Sequence, residues 1–103
     1  MGKKSAINSL SKIIANVVMH KILLKYTNKP ESVNHLHYEI IEYRDTAISK
    51  ADEFNWNRTD KQEIKLNALE CFKRKMAVKY GDVRFPMKEA IKLLDEAVEE
   101  AVE

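Results

Sequence analysis

Apolar residues recur along this chain at helical spacing in four blocks. In the first, over residues 5–26, Ile7, Leu10, Ile13, Ile14, Val17, Val18, Ile22, Leu23 and Leu24 cover most of a helix circumference. Asn8, Lys12, Asn16 and His20 recur every four residues and leave one narrow polar stripe. A helix apolar nearly all round is expected to be the most buried one, or to carry an oligomer contact. Its β-branched content alone would suit a strand, but no period-2 alternation accompanies it.

The second block spans residues 32–54. Val33, Leu36, Ile40, Tyr43, Ala47, Ala51 and Phe54 follow one another three or four residues apart, close to a heptad seam. Ile41 and Ile48 are expected to widen that stripe, and Glu42, Asp45, Asp52 and Glu53 to occupy the far face. In the third, over residues 60–80, Ile64, Ala68, Cys71, Phe72 and Met76 define a buried face, with Leu69 and Tyr80 at its edge. The fourth, over residues 86–102, carries Met87, Ala90, Ile91, Leu94, Val98, Ala101 and Val102.

The breaks between blocks have different origins. The chain has only two glycines and two prolines. Apart from Gly2 they lie between blocks, at Pro30, Gly81 and Pro86, so the blocks are free of strong helix breakers. Ser32, or Asn28 with Glu31, is suited to cap the second helix. Gly81 sits where a left-handed C-cap belongs, and Pro86 suits a first helical position. Asn55–Asp60 contains no Gly or Pro. It is read as a break from its Asn and Asp residues and from a capping box formed by Thr59 and Gln62. Without that break the second and third blocks would merge. These readings predict an all-α fold, a compact four-helix bundle or helical array, with helices at about 5–26, 32–54, 60–80 and 86–102. The 103 residues suit one domain, with residues 1–4 a basic tail.

Charge changes this picture by alternating along the chain. Residues 1–26 hold five lysines and no acid, and residues 27–60 hold four basic and seven acidic groups. Residues 61–86 hold seven basic and three acidic groups, and residues 87–103 two basic and six acidic. Short connections favour antiparallel neighbours. Basic helix one is therefore expected beside acidic helix two, and basic helix three beside acidic helix four. The fourth helix ends on acids, which its dipole disfavours. It is expected to fray, to continue in a longer chain, to meet a partner, or to be pinned by basic groups elsewhere.

Little in the sequence points to chemistry. His35 and Glu39 share a helix face, but His37 points away and no zinc-binding spacing is present. No nucleophile motif or Gly-rich phosphate loop occurs. Cys71, the single cysteine, falls on a buried face. No catalytic residue, cofactor or metal is expected, and the chain is read as not an enzyme. One cysteine suits a reduced, cytoplasmic setting. The first block has no apolar run longer than three residues, so no membrane association is expected.

Two surfaces remain as candidates. Lys65, Lys73, Arg74, Lys75, Lys79 and Arg84 form the best basic cluster and are candidate nucleic-acid contacts. The sequence pI of about 8.6 is low for such a role. Trp56 is either a lid over the end of the bundle or a hot spot for a partner. The expected function is a small non-enzymatic interaction module, self-associating or binding a protein partner. The alternative is a nucleic-acid-binding domain using helices one and three.

Overall fold

α1 (Lys3–Tyr26) is the axis about which the other three helices assemble. Leu10, Ile14, Val18 and Ile22 have no exposed surface, and Ile7, Val17, Met19 and Leu23 have almost none. The chain can bury so much of one helix because α1 packs against all three others: α2 (Val33–Ala51), α3 (Arg58–Lys79) and α4 (Met87–Val102). The computed structural model describes residues 2–26 and 33–102, with side chains from residue 36 onward in the second stretch. The caps read at Asn28, Glu31 and Ser32, the break at Pro30 and the side chains of Val33 and His35 lie outside the described residues. The 40 Å long axis is close to the length of α1 alone, about 36 Å for 24 residues.

Contacts along the helices fix their directions. Lys3 meets Asp60, Ser11 approaches Ile64, and Asn16 meets Lys75, so α1 and α3 run parallel. His20 meets Glu39 while Ile14 and Val17 face Ala47 and Ile48, so α2 is antiparallel to α1. Lys65 lies near Asp95 and Glu99 while Phe72 meets Phe85, so α4 is antiparallel to α3. The result is an up-down-up-down bundle, but with α2 and α3 hardly touching. Around the bundle the order is α1, α2, α4, α3, with α1 and α4 also meeting across the centre.

This order departs from the expectation that each short connection joins neighbours. The expected pairings of one with two and of three with four are present. The α2–α3 connection, however, crosses the end of the bundle, which places the two basic helices side by side and the two acidic ones side by side. α1 holds five basic residues and no acid and α3 seven basic and three acidic; α2 holds two basic and three acidic and α4 two basic and five acidic.

Several boundaries differ from the sequence reading for local reasons. α2 stops at Ala51 instead of residue 54. α3 begins at Arg58, and its capping box is Asn57 with Asp60, not Thr59 with Gln62. Asn57 Oδ1 accepts from Asp60 N at 2.8 Å, and Asp60 Oδ2 accepts from Asn57 N at 3.2 Å. Asparagine is the stronger N-cap and Asp60 favours the positive helix terminus, so Thr59 is left within the first turn. Gly81 is not a left-handed C-cap, since its φ is not positive. Tyr80 caps α3, its N–H donating to Met76 O. What Gly81 allows is close approach: a Cβ there would lie 3.1 Å from Ala77 O. Pro86 precedes Met87, the first residue of α4, and its carbonyl accepts from Glu89 and Ala90.

Ile64, Ala68, Cys71, Phe72 and Met76 are all buried, as their spacing predicts. Ile41 is not part of the buried stripe of α2; it is 57% exposed. By length and composition α1 does reach the measure of a membrane-crossing helix, contrary to the expectation from its short apolar runs. More than half of its most apolar stretch is buried in the bundle, as in the core helix of a globular protein.

Candidate interaction surfaces

The polar stripe of α1 is the natural place to look for a site, and it turns out to be a seam. Asn16 Oδ1 accepts from Lys75 Nζ of α3 at 2.7 Å, and Asn8 lies 3.5 Å from Asn67 of the same helix. Asn8, Lys12, Asn67, Glu70 and Arg74 then line an open polar groove between the parallel α1 and α3. His20 turns instead towards α2. Its Nδ1 contacts Asn16 O at 2.6 Å, its Nε2 contacts Glu39 Oε2 at 2.8 Å, and its ring lies 5.3 Å from that of Tyr43. Ser11, between these groups, is fully enclosed; its hydroxyl donates to Ile7 O at 2.7 Å and lies 3.4 Å from Ile64 O.

The six basic candidates do not form one surface. Lys65 points at the α4 acids, 3.7 Å from both Asp95 and Glu99. Lys75 is tied to Asn16. Arg74 faces the α1–α3 groove together with Lys12. Lys73 projects about 100° away around the helix, towards a depression at the corner where α3 meets α4. Lys79 and Arg84 are exposed near that corner. Periodicity alone could have separated Lys73 from Arg74. The capture of Lys65 and Lys75 could not be read from sequence, because it depends on which helices are neighbours.

Trp56 is half-buried and packs against the core. Its indole Nε1 donates to Ala51 O at 2.7 Å, its ring lies 5.6 Å from that of Phe54, and the Lys3 ammonium stands 5.5 Å from its centroid. The turn that carries α2 over to α3 therefore uses Trp56 to cover the end of the bundle. Lys3 and Lys4 belong to the first turn of α1, and Lys3 also pairs with Asp60.

The acids at the end of α4 are held from two sides. Glu100 pairs with Arg44 of α2, and Glu99 lies near Lys65 of α3. At the other end of α4, Glu89 accepts from Lys25 Nζ and from the Tyr26 hydroxyl. The hydrogen bond from Lys25, and next that from Tyr26, hold the Glu89 carboxyl below its ordinary pKa. The same contact raises Lys25 and Tyr26 above theirs. A carboxylate with a depressed folded-state pKa adds stability above its unfolded pKa and loses it as pH falls through the folded value. Glu89→Gln is therefore expected to lower the urea midpoint at neutral pH, and the difference from wild type should close as pH drops below about 4. An unchanged difference at acid pH would mean that the ion pair is not its source.

Among the described residues, no group of three His, Cys, Asp or Glu side chains converges as a metal ion requires. No buried side-chain nitrogen or oxygen among them lacks a hydrogen-bond partner. The seam of Ile14, Val17, Ala47 and Ala97 leaves a space of about 10 Å³, no more than one water molecule needs. The remaining depressions are open and lie on the surface. The exposed large apolar side chains include Tyr38 and Ile41 on α2, Leu66 and Val78 on α3, and Met87 and Ile91 on α4. No family model matches this chain, and searches of curated proteins and of solved structures also returned no match.

Proposed function

We propose that this protein is a small non-enzymatic interaction module that binds protein partners, a second copy of itself among them, through its outer faces. The observation that carries this reading is the sorting of charge: a basic α1–α3 layer backs onto an acidic α2–α4 layer, with large apolar side chains set among the exposed charges. Opposed charged faces steer encounter and exclude wrong partners, while exposed apolar side chains supply the contact. The filled core among the described residues, with its polar depressions open and on the surface, supports a role outside catalysis.

A nucleic-acid reading is favoured by one feature, the placement of Lys12 and Arg74 on the same groove. Against it, Trp56 covers the bundle end, Tyr80 is half-buried at the α3 terminus, and the exposed Tyr38 stands among acids on α2. A photo-cross-linking residue placed at Leu66 on α3, and separately at Ile41 on α2, tests the choice in the native cell. The expected result is a small set of discrete protein adducts that resist nuclease. Nuclease-sensitive adducts would shift the assignment to nucleic acid, and absence of any adduct at both positions would reject the module.

A further inference from the structure

Two exposed features of this molecule carry apolar side chains within charge of opposite sign. The first is a ridge on α2. Tyr38 and Ile41, 62% and 57% exposed, lie three residues apart and are neighbours on the helix surface. Acids flank them: Glu42 and Asp45 are exposed, and the Tyr38 hydroxyl bonds the Glu42 carboxylate. The second is the corner depression between the end of α3 and the start of α4. Met76, Tyr80, Val83, Phe85 and Met87 give it an apolar lining, and Lys73 stands at its side. Lys79, Arg84 and Lys88, adjacent in sequence to its lining residues, are exposed, as is Asp82. Its volume, about 210 Å³, is below the range of small-molecule sites and suits one or two large side chains.

We propose that the Tyr38–Ile41 ridge of one copy docks in the α3–α4 corner of a second copy, a head-to-tail contact that rests on the module reading above. Charge decides the arrangement. A symmetric ridge-to-ridge pair would set Glu42 and Asp45 against the same acids, and a corner-to-corner pair would set Lys73 and Arg84 against the same bases. Only ridge against corner brings opposite charges together around apolar side chains. One molecule cannot satisfy itself, because α2 and α3 stand at opposite corners of the bundle. Each docked copy keeps a free ridge or a free corner, so the contact propagates instead of closing. The contact is small, and its dissociation constant is expected on the order of 0.1 mM.

Sedimentation of the full chain tests this. Average mass should rise with concentration at about 50 mM salt and fall back at about 0.5 M, as screening removes the charged rim. A ridge variant, Tyr38→Ser with Ile41→Ser, and a corner variant, Lys73→Glu with Met87→Ser, should each remain monomeric while keeping the wild-type helical signal and melting transition. The informative step is to mix them. The ridge variant retains a corner and the corner variant retains a ridge, so the mixture should form a one-to-one heterodimer that stops growing. Association of either variant alone at wild-type strength, or failure of the mixture to pair, overturns the head-to-tail contact. A wild-type chain that stays monomeric to about 1 mM overturns it too. The module reading falls separately, through the cellular cross-links, so the two failures are distinguishable. If a variant does not fold, Lys73→Glu alone, paired with Ile41→Ser alone, provides the same complementation test.

Discussion

Replacing Phe72 with alanine should cost about 3–5 kcal/mol of folding stability, the largest single loss expected from any truncation considered for this fold. Phe72 has no exposed surface and is the largest fully enclosed side chain. It lies in the core cluster, and Phe85 from the α3–α4 connection meets its ring edge-on, with centroids 5.6 Å apart and planes at 75°. The ring therefore ties α3 to the turn that leads into α4, and its removal leaves a cavity in the core. Small domains have about 5–15 kcal/mol in total, so a loss of this size is a large share of the whole. The melting temperature should drop by roughly 15 °C or more, at 4–8 °C per kcal/mol for a domain of this size. Urea unfolding followed by circular dichroism would measure it. A loss under about 1 kcal/mol would mean that Phe72 does not span these elements. The change also reaches the surface, because Phe85 lines the corner depression: the variant should bind the α2 ridge of another copy more weakly.

Phe72 also shows how far the sequence could be read. Its period places it with Ile64, Ala68, Cys71 and Met76 on one face, and all five are buried. That works because a helix turns by a fixed angle per residue, so the buried side follows from spacing alone. Which helix covers that side does not follow. The ring order α1, α2, α4, α3 depends on how a six-residue turn crosses the end of the bundle, and nothing local in Asp52–Asn57 encodes that path. The fate of the basic candidates depends on this order. Lys65 and Lys75 are bound up because α4 and α1 lie where they do, while Lys73 and Arg74 stay exposed. Ile41 fails for a related reason. It lies at the edge of the α2 stripe, and whether an edge residue is covered depends on the neighbour's position. The caps at Asn57 and Tyr80 were missed because rival capping residues sat within two positions and only the backbone geometry selects between them.

The layering of charge also changes how the end of α4 is understood. Acids in the last turn of a helix suggest a terminus that meets something, and here Arg44 and Lys65 already meet them from α2 and α3. The broad apolar surface of α1 is likewise satisfied within the bundle. Neither feature therefore supplies a partner surface. The head-to-tail contact is therefore assigned to the outer side of α2 and the α3–α4 corner, where exposed apolar side chains and charge of opposite sign occur together.

Trp56→Ala is the second large effect expected, about 2–3 kcal/mol, and it decides between the two roles open to this residue. As a lid, Trp56 contributes packing over the core and a hydrogen bond from Nε1 to Ala51 O. Truncation would uncover the end of the bundle and remove the ring over which Lys3 stands, at 5.5 Å. Ala51 O would keep its contact with Phe54 N at 3.3 Å, which holds the cost below that of an orphaned carbonyl. Trp56→Phe separates the two contributions: it retains most of the packing and loses the indole donor, for about 1 kcal/mol. A partner hot spot behaves differently, because its truncation leaves the free protein's stability unchanged and weakens only association. Trp56 is the single tryptophan, so its own fluorescence reports on the wild type. Its emission should shift to the red in the same urea transition that unfolds the helices. A stability equal to wild type in Trp56→Ala, or a tryptophan signal that changes at lower urea than the helical signal, would move Trp56 out of the bundle end and into the partner surface.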